Sequence, residues 1–313
     1  ATGAVDLVLP AAKIPEALVK YHRRMTRAQN GSHQQDAGRD WLPEIIDLLR
    51  TKTAHDFALY KPGTLQRRIE RRMAIVAIET DDMERYLELL RSDASELNSL
   101  VKDLLINVTS FFRDPKVFDL LAETIIPELV RSQTLDHPLR IWIAGCSTGE
   151  EVYSRAMLFR EQIAAAKRNI KLQVFASDVD PDAVAAAREG LYPETIEAEV
   201  SPARLARFFT KEDHGYRVSS ELRATVVFTV QDVLADPPFS RIDLVSCRNL
   251  LIYLRPEAQA KVLSLFHFAL RDGGILLLGS SETVGAFEDR FGMVSRSERL
   301  CRHIGHSRPG AFG

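Results

Sequence analysis

Cysteine is scarce in this chain, and long apolar runs are missing from it. Three cysteines occur among 313 residues, Cys146, Cys247 and Cys301. They have no paired spacing, so a reducing compartment is expected rather than a disulfide framework. The sequence holds no CxxC, HExxH or Cys/His cluster, and no metal site is expected. No apolar stretch approaches the roughly 20 residues of a membrane span, which argues against membrane insertion. Neither sign of charge is in excess: 41 Lys and Arg against 43 Asp and Glu leave a net charge of −2 and a pI near 6.5. That balance weighs against nucleic acid as a partner. The chain starts at Ala1 without a secretion signal, so a cytoplasmic location is expected, with a monomer as the default state. What is present, 45% hydrophobic and 27% charged residues, suffices for one large core or two domains.

The segment IWIAGCSTGEE, from Ile141 to Glu151, reads as strand, small-residue turn and helix start. Gly145 and Gly149 permit backbone geometry that a Cβ opposes, while Ser147 and Thr148 bring hydroxyls to the helix start. An ordinary strand-to-helix turn would read the same way. A second apolar run, LQVFA from Leu172 to Ala176, leads into Ser177 and Asp178. An acid roughly 20 to 30 residues after a glycine turn suits a cofactor ribose. Asp178 could instead cap the next helix, but Asp180 is the better cap for a helix starting at Pro181. The turn lacks the GxGxxG pattern, and Glu150 and Glu151 follow it. Two acids at a helix start repel a pyrophosphate and attract a cation such as a sulfonium or an amino group.

Further short apolar runs, VVFTV (226–230), IDLVS (242–246) and ILLLG (275–279), alternate with helical stretches. This is the pattern of an α/β chain with a mostly parallel sheet, the last run following a turn at Asp272, Gly273 and Gly274. Ligands bind such sheets beyond the carboxyl ends of the strands, which would bring Gly145, Asp178, Asp232 and Asn249 to one crevice.

The motifs GCSTGEE, FASDVDPDAVAAAREGLY, VQDVL, SCRNLLIYL and INVTSFFRD (Ile106 to Asp114) resemble the bacterial chemoreceptor glutamate methyltransferases, the CheR family, over about Trp41 to Ile304. The resemblance implies a Rossmann-like S-adenosylmethionine-dependent methyltransferase sheet with an antiparallel last strand. It also implies a small all-α N-terminal domain, a small β-hairpin insertion, and S-adenosylhomocysteine as product. The implied partners are the cytoplasmic domains of methyl-accepting chemotaxis receptors. Carried over residue by residue, Asn107, Thr109 and Arg113 would reach the cofactor, and Gly145, Cys146 and Ser147 would form its turn. Glu150, rather than Glu151, would meet the charged end of the donor, and Asp178 would take the ribose. Asp232 and Val233 would border the adenine, Asn249 and Leu250 would line the floor, and Tyr253 with Arg113 would lie nearest the transferred methyl. Against these roles, Asn107 and Thr109 could form a helix-ending turn, Arg113 could pair with Asp114, and Tyr253 could be a core aromatic. The chain departs from the family pattern at Val152, often proline there, and at Arg155, usually apolar; a buried unpaired guanidinium would be costly.

A carboxylate acceptor is more than about 99% ionised at neutral pH and needs no base, so the site should be poor in bases. No His, Cys or Lys other than Cys146 falls within Gly145 to Glu151. A hydroxyl or amine acceptor would require a base to unmask it. On a helix from about Thr64, Arg67, Arg68, Arg71 and Arg72 cover an arc of about 140°. The stripe suits an acidic receptor surface, with a solvated face as the plainer reading.

The expected organisation has residues 1–38 as a tail, 39–120 as the helical domain, and 121–313 as the methyltransferase domain with its β insertion near 190–224. The tail carries a strand and turn at ATGAVDLVLP, a helix near Ile14 to Met25 and a polar linker from Gln29 to Gly38. Its start resembles the end of the receptor methylesterase, implying a piece of a CheB/CheR methylesterase-methyltransferase fusion. A hairpin is expected at GYRVSSELR, and an antiparallel edge pair at Phe291 to Val294 and Leu300 to His303. A methyltransferase with another acceptor, or a non-catalytic module binding the donor or its product, fits the same motifs.

Overall fold

The computed structural model describes residues 14–15, 40–53, 55–134 and 136–305. The expected strand at the start, most of the helix at 14–25 and the linker at 29–38 lie outside the described residues. The chain divides into two compact units between Leu104 and Leu105.

The first unit is helical: α1 (Leu42–Lys52), α2 (Pro62–Ile75), α3 (Met83–Ser92) and α4 (Ala94–Leu104). Proline in the first turn starts α1 and α2, where its missing N–H has no helical partner to lose. The Asp82 side chain caps α3 by accepting from the Arg85 amide at 3.3 Å. Apolar residues at helical spacing, Leu65, Ile69 and Met73 on α2 and Leu97, Leu100, Val101 and Leu104 on α4, are buried. Glu96 is buried with them. The Arg72 fork closes on it at 3.0 and 2.5 Å, and the Tyr86 hydroxyl donates to it at 3.0 Å.

The second unit begins with a loop at 105–114, then α5 (Pro115–Leu120), a π-helical turn (Leu121–Ile125) and α6 (Ile126–Ser132). Val117, Phe118, Leu121, Ile125 and Leu129 share a core with Leu139, Ile141 and Ile143. That packing is why the division falls ahead of the expected 120. The chain then lays down β1 (Leu139–Ala144), α7 (Glu150–Ala165), β2 (Leu172–Asp178), α8 (Pro181–Glu189), β3 (Leu191–Tyr192), α9 (Pro202–Phe208), β4 (Phe209–Glu212), β5 (Gly215–Val218) and α10 (Ser220–Arg223). It continues with β6 (Val226–Val230), β7 (Ile242–Cys247), α11 (Pro256–Ala269), β8 (Leu270–Leu278), β9 (Phe291–Ser295) and β10 (Leu300–His303).

The large sheet runs β6-β2-β1-β7-β8-β10-β9, parallel from β6 to β8, with β10 antiparallel to both neighbours. This is the mostly parallel sheet with the expected antiparallel edge pair. Every residue of β7 is buried, as a central parallel strand covered on both faces requires. The order reverses between β1 and β7, and that switch point places a ligand crevice beyond their carboxyl ends.

Two local expectations need correction. Asp272, Gly273 and Gly274 do not precede the last parallel strand but lie within β8, opposite a register shift between Ile242 and Leu244. A Cβ on Gly274 would sit 2.9 Å from the Arg271 carbonyl oxygen, so the bulge needs glycine there. The insertion is a three-stranded sheet, β3-β5-β4, whose hairpin joins β4 to β5, while the SSELR half of the expected hairpin turns into α10. Ser219 causes that turn by accepting from the Leu222 amide at 3.3 Å as an N-cap. No helix among the described residues is long and apolar enough to cross a membrane.

Candidate functional site

The turn from β1 to α7 holds three residues in the left-handed region: Gly145 (φ 72°), Ser147 (φ 48°) and Gly149 (φ 95°). This geometry points backbone amides toward the end of β2. The amides of Gly145 and Cys146 donate to the Ser177 carbonyl at 2.8 and 3.0 Å, and that of Ser147 donates to Asp178 Oδ2 at 2.7 Å. Asp178 Oδ1 accepts from the Asp180 amide at 3.0 Å. Asp178 is therefore not the unengaged acid suggested by its sequence position; both its oxygens brace loops. Each still has a second lone pair for a ligand. Burial pushes its pKa above the ordinary value, against the lowering effect of those amides.

Asp180 caps α8 by accepting from the amides of Asp182 (2.9 Å) and Ala183 (3.3 Å). Its other oxygen takes the Asn107 side-chain amide at 2.5 Å. Asn107 thus ties the 107–114 loop to the start of α8.

The two acids of the turn have different environments. Glu150 accepts from the Thr148 hydroxyl at 2.7 Å, and burial raises its pKa. Glu151 accepts from Arg155 at 2.9 and 3.1 Å, from the Ser246 hydroxyl at 2.6 Å and from Arg248 at 3.1 Å. Its burial alone would raise the pKa, but the two guanidiniums and the hydroxyl bring it below the ordinary value. Glu151 is thereby an anion held by fixed cations, whereas no cation among the described residues pairs with Glu150. Arg155 is completely buried, but its charge is paired with Glu151 and it lies 4.9 Å over the Phe118 ring; its Nη1 is buried without a hydrogen-bond partner among the described residues.

Beyond β7, Asn249 is left-handed (φ 61°), and its amide donates to Glu282 Oε2 at 3.1 Å. The same carboxylate accepts from the amides of Gly279 at 2.6 Å and Ile252 at 3.2 Å, which fixes the 3-10 turn Leu251–Tyr253. Tyr253 is half-buried on that turn. Leu250 abuts Gly145, where an added Cβ would meet Leu250 Cδ2 at 3.5 Å. At the end of β6, Asp232 Oδ1 accepts from the Leu234 amide at 2.8 Å, and Val233 is buried.

The 107–114 loop is anchored at several points. The Phe111 amide donates to Glu199 at 2.7 Å and the Phe112 amide to the Ser154 hydroxyl at 3.1 Å. Thr109 is half-buried within it. Arg113 donates to the Val108 carbonyl at 3.1 Å, while Asp114 pairs with Arg248 rather than with Arg113.

The turn at Gly145 to Glu150, Asp178 and Leu250 thus stand together, and the 107–114 loop is bonded to α7, to α8 and to the end of β7. The arginines of α2 lie in the other unit, and two of the four stand beside carboxylates. Arg72 is committed to Glu96, Arg71 stands 3.6 Å from Asp103, Arg67 is exposed and Arg68 partly so. Sequence reasoning missed Arg248, Glu282, Ser154 and Glu199. Arg248 lies inside the quoted SCRN motif, but no local pattern signals the other three.

The residues present fit a polar, positively charged ligand. Ser147 Oγ is buried with no hydrogen-bond partner among the described residues, and it sits between Cys146 and Thr148 beside the Asp178 carboxylate. Cys146 offers no thiolate, because burial, then the nearby acids, push its pKa well up.

A mostly parallel sheet closed by an antiparallel strand, with a glycine turn and Glu150 after β1 and Asp178 ending β2, is the architecture of an S-adenosylmethionine-dependent methyltransferase. Residues 107–300 match the CheR methyltransferase SAM binding domain, and residues 41–105 match the CheR methyltransferase all-alpha domain. The chain belongs to the CheR methyltransferase family. It is 32% identical over 268 residues to "Putative methyltransferase Cher3" of Pseudomonas putida, covering 82% of this chain and 94% of that one. It is 31% identical over 258 residues to "Chemotaxis protein methyltransferase" of Escherichia coli, covering 79% and 85%. An uncharacterized 104.1 kDa protein of Rhodobacter capsulatus is 46% identical over 270 residues, 86% of this chain but 28% of that protein's length.

Proposed function

We propose that the protein transfers a methyl group from S-adenosylmethionine to glutamate carboxylates on the cytoplasmic domains of chemotaxis receptors, leaving S-adenosylhomocysteine. The observation that carries this reading is that, among the described residues, neither a histidine nor a lysine stands at the carboxyl ends of β1, β2, β6 and β7. The groups there are the carboxylates of Glu150 and Asp178, hydroxyls, a guanidinium and a thiol held protonated by burial. Such a site suits an acceptor that arrives already ionised, which a glutamate does.

When bound, the donor supplies an electrophilic methyl on a sulfonium, and the acceptor carboxylate displaces the sulfur in line. Glu150, desolvated at the start of α7, attracts the cationic donor, and Ser147 offers its unpaired hydroxyl. Asp178 accepts from ribose hydroxyls through its remaining lone pairs. Asp232 and Val233 border the adenine, and Asn249 and Leu250 form the floor. Asn107 and Thr109 reach the cofactor from the 107–114 loop, which Asn107 ties to Asp180. Arg113 holds the anionic acceptor while Tyr253, on its braced turn, orients it, so that the chain contributes alignment and charge rather than proton transfer. On α2, the exposed Arg67 and the partly exposed Arg68 meet the acidic receptor, with Arg71 and Arg72 contributing field from within ion pairs.

The test is transfer of label from methyl-labelled S-adenosylmethionine to a receptor cytoplasmic domain, followed by mild alkali. Release of volatile methanol, lost when the receptor glutamates become alanine, is the expected result. Cofactor binding without transfer to any of several receptors would overturn the receptor assignment.

A further inference from the structure

We propose that Arg248 is a positioning residue for methyl transfer: its buried guanidinium fixes the turn that carries Arg113 to the acid-bearing start of α7. The proposal rests on the reading above in placing Arg113 beside the reacting carboxylate.

The turn cannot hold its shape by local preference. Phe112 (φ 50°) and Asp114 (φ 64°), the residues flanking Arg113, are both in the left-handed region without being glycine. Such residues persist only where surrounding contacts over-determine them. Phe111 and Phe112 are tied through their amides to Glu199 and Ser154. The far side of the turn is tied by Arg248, whose NH2 donates to the Arg113 carbonyl at 3.2 Å and to the Asp114 carboxylate. Its NH1 donates to Glu151 Oε2 at 3.1 Å. One planar group therefore joins the backbone of Arg113 to the residue next to Glu150.

The side chain of Arg248 is 1% exposed, so its geometry is set by protein contacts rather than by solvent. The charges facing it balance: Glu151 and Asp114 are anionic, while Arg155 shares Glu151. A lysine would retain the charge but could not reach the carbonyl and both carboxylates from one planar fork. The consequence is specific. Loss of Arg248 should disturb where Arg113 points before it disturbs the cofactor turn, which has its own bonds to Ser177 and Asp178.

The test uses the full chain with Arg248→Lys and Arg248→Ala. Turnover is normalised to sites titrated with S-adenosylhomocysteine, and amide hydrogen exchange is read at Phe112 and Val117. The Val117 amide donates to the Asp114 carbonyl at 3.0 Å and so reports the turn; that of Tyr153, bonded to Gly149 at 3.0 Å, is the internal control. For Arg248→Lys the expected result is a fall in kcat per site of tenfold or more. The receptor KM should stay within about twofold, and exchange should quicken at Phe112 and Val117 but not at Tyr153. Guanidinium ion should restore part of the kcat of Arg248→Ala. Wild-type kcat in Arg248→Lys, or unchanged exchange at Phe112 and Val117, overturns the proposal. If wild-type protein transfers no label to receptors, the functional reading fails, and the exchange result alone still decides the role of Arg248.

Discussion

Replacing Glu282 with alanine should release the loops after β7 and β8 together. Its carboxylate accepts from the amides of Gly279, Asn249 and Ile252 at 2.6, 3.1 and 3.2 Å, and the residue is 4% exposed. Each buried donor left without an acceptor costs about 1–3 kcal/mol, so three give roughly 3–9 kcal/mol before relaxation. Two effects offset part of this. Water can enter the vacated space, and the wild-type carboxylate carries its own burial penalty, which holds its pKa above the ordinary value. A net loss of about 3–4 kcal/mol is expected for Glu282→Ala. For Glu282→Gln about 1–2 kcal/mol is expected, because the amide oxygen can still serve Gly279 and Asn249 while its NH2 opposes the Ile252 N–H. The raised pKa also fixes a pH dependence. The folded state binds its proton more tightly than the unfolded state, so wild-type protein gains stability relative to Glu282→Ala as pH falls through the raised value toward about 4.3. Urea unfolding followed by tryptophan fluorescence measures both, with Trp41→Phe leaving the fully buried Trp142 as sole reporter. Binding of S-adenosylhomocysteine should weaken in parallel, since Asn249, Leu250 and Tyr253 ride on the released loop. A change in stability below about 0.5 kcal/mol, with unchanged product binding, would refute the bracing role.

Three further outcomes follow from other parts of the structure. Gly149→Ala would put a Cβ 2.9 Å from both Ala187 Cβ and Tyr192 Oη at φ 95°, so calorimetric melting should show a loss of about 2–4 kcal/mol; an unshifted melt contradicts the turn geometry. If Glu150 and Asp178 hold the donor as carboxylates, as proposed, their raised pKa values mean that donor affinity should fall as pH drops through those values, and Glu150→Gln should weaken the dependence; titration calorimetry showing a pH-independent wild-type affinity would count against both roles. Arg72→Ala leaves the buried Glu96 without its fork and should destabilise the helical unit by about 3–5 kcal/mol, whereas Arg67→Ala should stay within about 0.5 kcal/mol; circular dichroism melts separate the two, and equal effects would contradict the structural role of the Arg72–Glu96 pair.

The elements that could be read from sequence are those fixed by local rules. The short apolar runs became parallel strands, Asp180 became the cap of α8, and the final pair closed the sheet antiparallel. The residues whose meaning was hidden depend on partners far along the chain. Glu150 and Glu151 are neighbours of identical chemistry, and Arg155 one turn later signals only part of their difference. The rest comes from Ser246 and Arg248, the latter 97 positions away. Glu282 meets Asn249 across 33 positions, joining two loops whose adjacency only the strand order creates. The arginine stripe shows the same limit. Helical spacing places four guanidiniums on an arc, but Glu96 and Asp103, which engage two of them, belong to another helix. The insertion was legible as β structure but not in register, because a serine cap, a feature one residue wide, decides where strand gives way to helix.

The distribution of charge around the crevice also bears on the acceptor. Arg155 and Arg248 would make this end of the sheet strongly cationic, but Glu151 and Asp114 answer them within hydrogen-bond reach. Arg113 differs: it donates to the Val108 carbonyl, and no carboxylate among the described residues pairs with it. A carbonyl orients a guanidinium without neutralising it, so its charge is still available to an incoming anion. Glu150 is the mirror case, bonded to a neutral hydroxyl and answered by no cation among the described residues. The site therefore presents two anions, Glu150 and Asp178, and one cation, Arg113, that no opposite charge among the described residues answers. The anions match a cationic donor, and the cation matches an anionic acceptor. A neutral acceptor would leave Arg113 without an ionic partner. If Glu150 and Arg113 act as proposed, the same asymmetry favours a carboxylate over a hydroxyl or an amine.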